Sequence, residues 1–235
     1  MAQTPVTDWV GFGAVAEPGV WKTALRFANS GTLRMVVRVP MRSVLFFLFV
    51  FAAFLPMSQA ADNSSKTLVL GGGCFWCLDA TYRLVPGVKS VVCGYAGGSA
   101  AHPSYEEVCT GATGHAEVVK IEYDPSITSL EKLLAFFWTV HDPTTLNYQG
   151  EDHGTQYRSI ILYQNDEQKA AAEKSRDEAQ KKFSEPIVTE IVPLKDFFAA
   201  EEYHQDYFRK NPDRGYCRFV VKTKVDKAKK TLGLH

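Results

Sequence analysis

A cysteine that follows three glycines is the residue in this sequence best placed to do chemistry. Gly71, Gly72 and Gly73 end a short apolar run, and Cys74 precedes a stretch with helical spacing of apolar residues. The dipole and the unpaired N–H groups of a helix start favour a thiolate, so we expect the pKa of Cys74 to fall. Glycines also let the backbone approach a ligand closely. The sequence therefore predicts a reactive thiol at this turn.

A second cysteine, Cys77, lies three residues after Cys74, and this spacing has three interpretations. One is a redox-active dithiol at a helix start, as in thioredoxin-like oxidoreductases. Another is half of a zinc site, but zinc needs two further ligands, and no second pair of cysteines or histidines has ligand spacing. The third is coincidence. The spacing favours the redox interpretations, and we expect no metal site.

Acidic and phenolic side chains lie in further turns that precede predicted strands. Glu117 follows the turn at 113–116, and Asp152 opens a run that continues to Tyr157. Together with Tyr105, these side chains would supply a proton and hydrogen-bond donors to a substrate. A solvated strand end explains each carboxylate equally well, and chain order alone does not bring these residues together.

Strands alternate with helices in the pattern of apolar and turn residues. The predicted strands are 67–70, 88–95, 116–123, 157–163 and 187–192, and the predicted helices are 74–84, 129–140, 167–183 and 199–210. The weakly patterned end, 213–235, is expected to be an irregular C-terminal tail. This order predicts a single α/β (α+β) domain, a two-layer sandwich of a mixed sheet covered by helices.

The first sixty residues contain a targeting signal. Arg38 and Arg42 precede an unbroken apolar run at 44–55, and a small-residue cleavage site ends at Ala60. We expect 41–60 to be a secretory signal peptide. The twelve apolar residues fall short of the roughly 20 that span a bilayer, so a membrane anchor formed by 44–55 is the alternative.

These boundaries divide the chain into three parts. Residues 1–40 are expected to be a mis-assigned start or an unstructured extension, which leaves 61–235 as the mature domain in the periplasm or outside the cell. The 26 basic and 26 acidic side chains balance, which gives no reason to expect a nucleic acid partner. All five cysteines lie after residue 60, and an odd number leaves at least one thiol unpaired within one chain.

Seven motifs occur in order over about residues 67–221 and carry a resemblance to a known family. They are GCFW at 73–76, GYAGG at 94–98, PSYEEVC at 103–109, TGHAE at 113–117, HDP at 141–143, DHGTQYRS at 152–159 and YHQDY at 203–207. The set closely resembles the A-type peptide methionine sulfoxide reductases. The resemblance implies a two-layer α/β sandwich that repairs oxidised proteins by reducing the S epimer of methionine sulfoxide, free or within a protein. Activity on the R epimer is not expected.

The resemblance also implies a role for each candidate site residue. Cys74 would be the attacking thiolate, and Phe75 and Trp76 would wall a pocket for the terminal methyl group of the substrate. Glu117 would protonate the sulfoxide oxygen, which requires a pKa raised by burial. The supporting residues would be Tyr105 and Tyr157, which assist Glu117, and Asp152, which orients the site through water. Cys217 would be the resolving thiol.

The resolving step has two routes in this sequence. Attack would leave Cys74 as a sulfenic acid, which a second thiol converts to a disulfide and an external, thioredoxin-like dithiol then reduces. Many family members have a small residue where Cys77 stands, and many carry a further cysteine beyond Cys217 that is absent here. A flexible tail favours Cys217 over Cys77.

Other functions are weighed against this one. A general thiol–disulfide oxidoreductase acting through Cys74 and Cys77 is the alternative, and a non-catalytic zinc module is a third hypothesis. For sulfoxide reduction we expect a monomer with no bound cofactor. Its contact with a membrane would be limited to an uncleaved signal segment.

Overall fold

The computed structural model describes residues 65–234, and its strands and helices alternate along the chain. The strands are β1 (Lys66–Gly71), β2 (Val88–Ala96), β3 (Ala116–Tyr123), β4 (Tyr148–Gln149), β5 (Asp152–His153), β6 (Ile160–Tyr163), β7 (Glu190–Pro193) and β8 (Phe197–Ala199). The α-helices are α1 (Phe75–Tyr82), α2 (Tyr105–Cys109), α3 (Leu130–Val140), α4 (Asp166–Gln180), α5 (Tyr207–Lys210) and α6 (Lys222–Leu232). The predicted extension 1–40 and signal peptide 41–60 lie outside the described residues.

Six strands form one mixed sheet in the order β7-β6-β1-β3-β2-β8. All pairings in it are antiparallel except that of β6 with β7. Alternate side chains of β1 point to opposite faces, because the side-chain period of a strand is two. Leu68 and Leu70 join the larger core beneath the helices, whereas Val69 joins a smaller cluster on the other face with Val118 and Ile160. The predicted mixed sheet covered by helices is confirmed.

Helix α3 shows how the local sequence builds this core. The Ser129 hydroxyl caps it by accepting a hydrogen bond from the Lys132 backbone N–H at 3.3 Å. Leu133 and Phe137 are fully buried one turn apart, and burial stabilises each such side chain by about 1.5–3 kcal/mol. No helix among residues 65–234 is both long and apolar enough to cross a membrane.

The predicted helix 199–210 is wrong. The segment instead contains the end of β8, a 3₁₀ turn at Glu202–His204 and the short helix α5. Asp206 adopts a left-handed backbone conformation (φ 54°), which interrupts a helix. The Gln205 side chain also holds the segment against the sheet, because its oxygen accepts from the Cys93 N–H at 2.9 Å and its amide donates to the Cys93 carbonyl at 3.0 Å.

The predicted irregular C-terminal tail is also wrong. A π-helical turn at Cys217–Val221 continues directly into α6, so the chain is helical to Leu232. Val221, Val225 and Ala228 are buried at helical spacing, and α6 packs against α1 and α3. The lysines on the other faces of α6 hid this narrow apolar stripe in the sequence.

Candidate active site

The turn between β1 and α1 places Cys74 at the end of a central strand. Gly73 has a positive φ of 91°, which only glycine adopts without strain, and its N–H donates to the Tyr157 carbonyl at 3.1 Å. A Cβ at Gly72 would come within 2.9 Å of the His141 ring. Cys74 is the N-cap of α1 and has a non-helical ψ of 125°. The glycine run therefore brings the thiol into a crowded, buried turn.

The sheet delivers Glu117 to the same turn. β3 pairs with β1, so the start of β3 lies beside the glycine run. The Phe75 backbone N–H donates to Glu117 Oε2 at 3.0 Å, and the Glu117 side chain is 1% exposed. Burial raises the pKa of Glu117 to about 8, although the Phe75 N–H lowers it. The carboxyl therefore holds a proton at neutral pH, as required of the predicted acid.

The two sulfurs of the CxxC run lie together. The Cys77 N–H donates to the Cys74 carbonyl at 3.0 Å, and both side chains are buried. The predicted fall in the pKa of Cys74 is not found, because burial raises it and Cys77 and Glu117 raise it further. The pKa of Cys77 is lowered because its sulfur accepts a hydrogen bond from Cys74. Desolvation of a buried thiolate outweighs the helix start, which the sequence does not reveal.

The two predicted tyrosines lie within electrostatic range of the acid. Burial raises the pKa of Tyr105 and of Tyr157, and the charge of Glu117 raises both further. Both phenols therefore stay protonated and remain donors. Glu201 fixes the start of α2, because its Oε1 accepts from the Tyr105 backbone N–H at 3.0 Å.

Asp152 is held by a residue that the sequence analysis did not single out. The Tyr216 hydroxyl donates to Asp152 Oδ2 at 2.5 Å, and the same hydroxyl lies 4.0 Å from the Cys77 sulfur. Tyr216 precedes the predicted resolving thiol, Cys217, in the chain. Its proximity to the CxxC run follows from the packing of α6 on α1, which the sequence analysis did not predict.

An aromatic cluster borders the thiol. The Trp76 ring stacks on Tyr207, with centroids 3.8 Å apart and planes 7° from parallel. Phe75 is 1% exposed and contacts the ring of His204 at 5.0 Å between centroids. Neither nitrogen of the buried His204 ring has a hydrogen-bond partner among residues 65–234. Phe75 and Trp76 thus belong to an aromatic cluster that also includes the buried ring of His204.

Cys217 belongs to the same hydrophobic core as Cys74 and Cys77. Its side chain is fully buried in the π-helical turn. Cys77 is close enough for its charge to raise the pKa of Cys217, which burial also raises. The tail is helical, so chain flexibility does not favour Cys217 as the resolving thiol.

The histidines and carboxylates do not assemble a metal centre within the described part of the chain. No group of three or more His, Cys, Asp or Glu side chains among residues 65–234 is placed to hold a metal ion. His141 is typical of a structural histidine: its ring nitrogens lie 2.8 Å from the Phe137 carbonyl and 2.8 Å from the Ser159 hydroxyl. Burial lowers its pKa to about 4.

Known proteins match the chain over the described domain. A family model described as "Peptide methionine sulfoxide reductase" matches residues 66–233. The peptide methionine sulfoxide reductase MsrA of Nautilia profundicola is 58% identical over 159 residues, which cover 68% of this chain and 91% of that protein. The MsrA of Leptospira borgpetersenii is 56% identical over 162 residues, which cover 69% and 92%.

Solved structures agree with the sequence matches. The reduced form of Mxr1 from Saccharomyces cerevisiae is similar with a TM-score of 0.63 and 39% identity, covering 66% of this chain and 91% of that one. Methionine sulfoxide reductase A of Corynebacterium diphtheriae gives 0.60 and 34%, covering 68% and 80%. The chain belongs to the A-type peptide methionine sulfoxide reductases.

Proposed function

We propose that this chain reduces the S epimer of methionine sulfoxide, free or within proteins, with Cys74 as the nucleophile and Glu117 as the acid. The observation that carries the proposal is the hydrogen bond from the backbone N–H of Phe75, the residue after Cys74, to Glu117. It ties a protonated, buried carboxyl to the turn that carries the thiol. A sulfoxide is a poor electrophile until its oxygen is protonated, so an acid and a thiol in one buried site suit this reaction.

The first step transfers one oxygen atom. Glu117 protonates the sulfoxide oxygen, and the Cys74 sulfur forms a bond to the substrate sulfur. This bond and the S–O bond of the substrate then break as the oxygen passes to Cys74, which becomes a sulfenic acid. Methionine leaves with two more electrons than the sulfoxide had, and Cys74 is oxidised by two. The proton lost by the Cys74 thiol replaces the one that Glu117 gave. Burial raises the pKa of Cys74 and so favours the neutral thiol in the free enzyme, and we place thiolate formation after the sulfoxide binds.

Neighbouring side chains assist this oxygen transfer because they lie around the reacting groups. Tyr105 and Tyr157 donate hydrogen bonds to the oxygen as its charge changes, and Tyr216 holds Asp152 in place. Phe75 and Trp76 take the terminal methyl group against an apolar surface, which Tyr207 holds rigid by stacking.

We propose that Cys77, rather than Cys217, resolves the sulfenic acid. Cys74 and Cys77 are near enough for each thiol to shift the pKa of the other, and Cys74 is the N-cap, so no regular helical geometry fixes it. The bond from the Cys77 N–H to the Cys74 carbonyl spans three residues, which tightens the first turn as a bridge requires. Condensation of the Cys74 sulfenic acid with the Cys77 thiol forms the disulfide and releases water.

Cys77→Ser is expected to slow turnover without slowing the first step. One methionine per enzyme forms, and the rate under dithiol-driven turnover falls by about tenfold or more because no internal disulfide forms. Cys217→Ser is the matched control and keeps turnover. The measurement is methionine per enzyme in the absence and presence of dithiothreitol, with mass mapping of the disulfide. A Cys74–Cys217 bridge in the wild type would overturn the assignment.

An external dithiol completes the cycle. We propose a thioredoxin-like reductant, which attacks the Cys74–Cys77 disulfide and leaves as a disulfide itself. The chain acts as a monomer without a bound cofactor in this proposal. Residues 41–60 direct export, so N-terminal sequencing of the exported protein would find Ala61 first; a mature end well before Ala60 would contradict it.

A direct assay tests the function. The purified full chain with dithiothreitol is expected to convert the S epimer of methionine sulfoxide to methionine and to leave the R epimer unchanged. A general thiol–disulfide oxidoreductase would instead reduce protein disulfides and leave both epimers intact. Equal consumption of the two epimers would refute the proposed stereochemistry.

A further inference from the structure

A lysine of α6 points its charge at the turn that carries the two thiols. The Lys224 Nζ lies 3.8 Å from the position that a Cβ on Gly73 would occupy, so the ammonium approaches the glycine run itself. Its side chain is half-buried. Among residues 65–234, no carboxylate lies within 4.0 Å of this ammonium, whereas Lys222 on the same helix pairs with Asp226 at 2.7 Å. Lysine side chains usually extend into water, so an approach to a buried turn without an acidic partner calls for an explanation.

The packing of α6 fixes this orientation. Val221, Val225 and Ala228 form the buried stripe that holds α6 against the domain. Lys224 lies three residues after Val221 and four before Ala228, so it borders this buried stripe. The backbone of α6 therefore directs the Lys224 side chain toward the glycine run.

The charges around Cys77 have opposite signs. Its neighbours are the Cys74 thiol, the Lys224 ammonium, the Tyr216 hydroxyl and the Asp152 carboxylate. The Cys74 hydrogen bond lowers the pKa of Cys77 most, Lys224 and Tyr216 lower it further, and burial and Asp152 raise it. When Cys74 has become a sulfenic acid, the thiol hydrogen bond that Cys74 gave is gone. Lys224 is then the positive charge that remains beside Cys77.

We propose that Lys224 is a positioning residue for disulfide formation: its ammonium stabilises a negative sulfur at Cys77 while that sulfur attacks oxidised Cys74. The inference rests on the proposed function and on Cys77 as the resolving thiol. In this step the Cys77 sulfur forms a bond to the Cys74 sulfur and the S–O bond of the sulfenic acid breaks. The departing hydroxide takes up the proton that Cys77 released, so the products are a disulfide and water.

Single-turnover kinetics test this role, with Lys224→Met and Lys224→Gln as neutral variants and Lys224→Arg as the charge-conserving one. Methionine release is expected to keep the wild-type rate in all three. Disulfide formation slows by about tenfold at pH 7 in the neutral variants, and its pH midpoint rises by about one unit, because a nearby positive charge shifts a thiol by about this much. Lys224→Arg restores the wild-type pH profile.

Lys230→Met is the matched control, since it removes an exposed charge from the same helix. Its pH profile for disulfide formation stays that of the wild type. An unchanged midpoint in both Lys224→Met and Lys224→Gln, or a wild-type disulfide that does not include Cys77, would overturn the role of Lys224. Failure of the proposed function can be distinguished from failure of the Lys224 role, because the wild type would then release no methionine at all.

Discussion

Cys74→Ser is expected to abolish the formation of methionine from methionine sulfoxide. The serine hydroxyl fits the same turn, but it does not ionise in the accessible pH range and cannot accept the oxygen atom as a sulfenic acid does. Loss of the nucleophile leaves no covalent route, so turnover falls by about 10⁴-fold or more. The measurement is methionine produced from the S epimer with dithiothreitol present.

Cys109→Ser is the control for this substitution. Cys109 ends α2 and its thiol is exposed, unlike the other four cysteines of the described domain. The same exchange of sulfur for oxygen at this position should leave the rate at the wild-type level. Sulfoxide consumption by a folded Cys74→Ser protein would show that another residue is the nucleophile.

Glu117→Gln is expected to slow the first step by about 10²–10⁴-fold. The glutamine oxygen still accepts the hydrogen bond that the Phe75 N–H donates to Glu117, so the turn keeps its geometry, but the amide cannot deliver a proton. The pKa of Glu117 is about 8, so the wild-type rate should fall as the pH rises through that value. The variant should lack this fall in single-turnover measurements of methionine release.

The same substitution has an opposite effect on stability. The folded pKa of Glu117 is raised from 4.5 to about 8, so its contribution to stability is fully present below pH 4.5 and is lost as the pH rises through about 8. Glu117→Gln removes this loss, and its melting temperature should exceed that of the wild type by an amount that grows across this pH range. If Glu117→Gln released methionine at the wild-type rate, Glu117 would be excluded as the acid.

Short-range patterns predicted the strands well. β1, β2 and β3 lie within one residue of the predicted ranges at each end, because alternation and flanking glycines act locally. β6 begins at Ile160 rather than at 157, since residues Thr155–Tyr157 form a 3₁₀ turn. β8 was missed because three residues give too little alternation to distinguish a strand from a helix start.

The sequence motifs predicted which residues form the site, but they could not predict how these residues are arranged in space. The glycine run and the carboxyl of Glu117 are in the sequence, yet their contact depends on the pairing of β1 with β3. The positions of Lys224 and Tyr216 depend on α6 and the π-helical turn before it, whose buried residues Val221, Val225 and Ala228 carry a weak apolar signal among many lysines. A search for a four- and seven-residue apolar period from Cys217 onward would have found this helix.

The closeness of Cys74 and Cys77 along the chain limits what oxidation can do to the whole molecule. Cross-linking restricts the unfolded chain by an entropy that grows with loop length, about 2 kcal/mol for this four-residue loop against about 5 kcal/mol for a loop reaching Cys217. A bridge within the first turn of α1 therefore stabilises the oxidised domain by about 3 kcal/mol less than a bridge to Cys217 would. The cycle of disulfide formation and reduction is then confined to the first turn of α1.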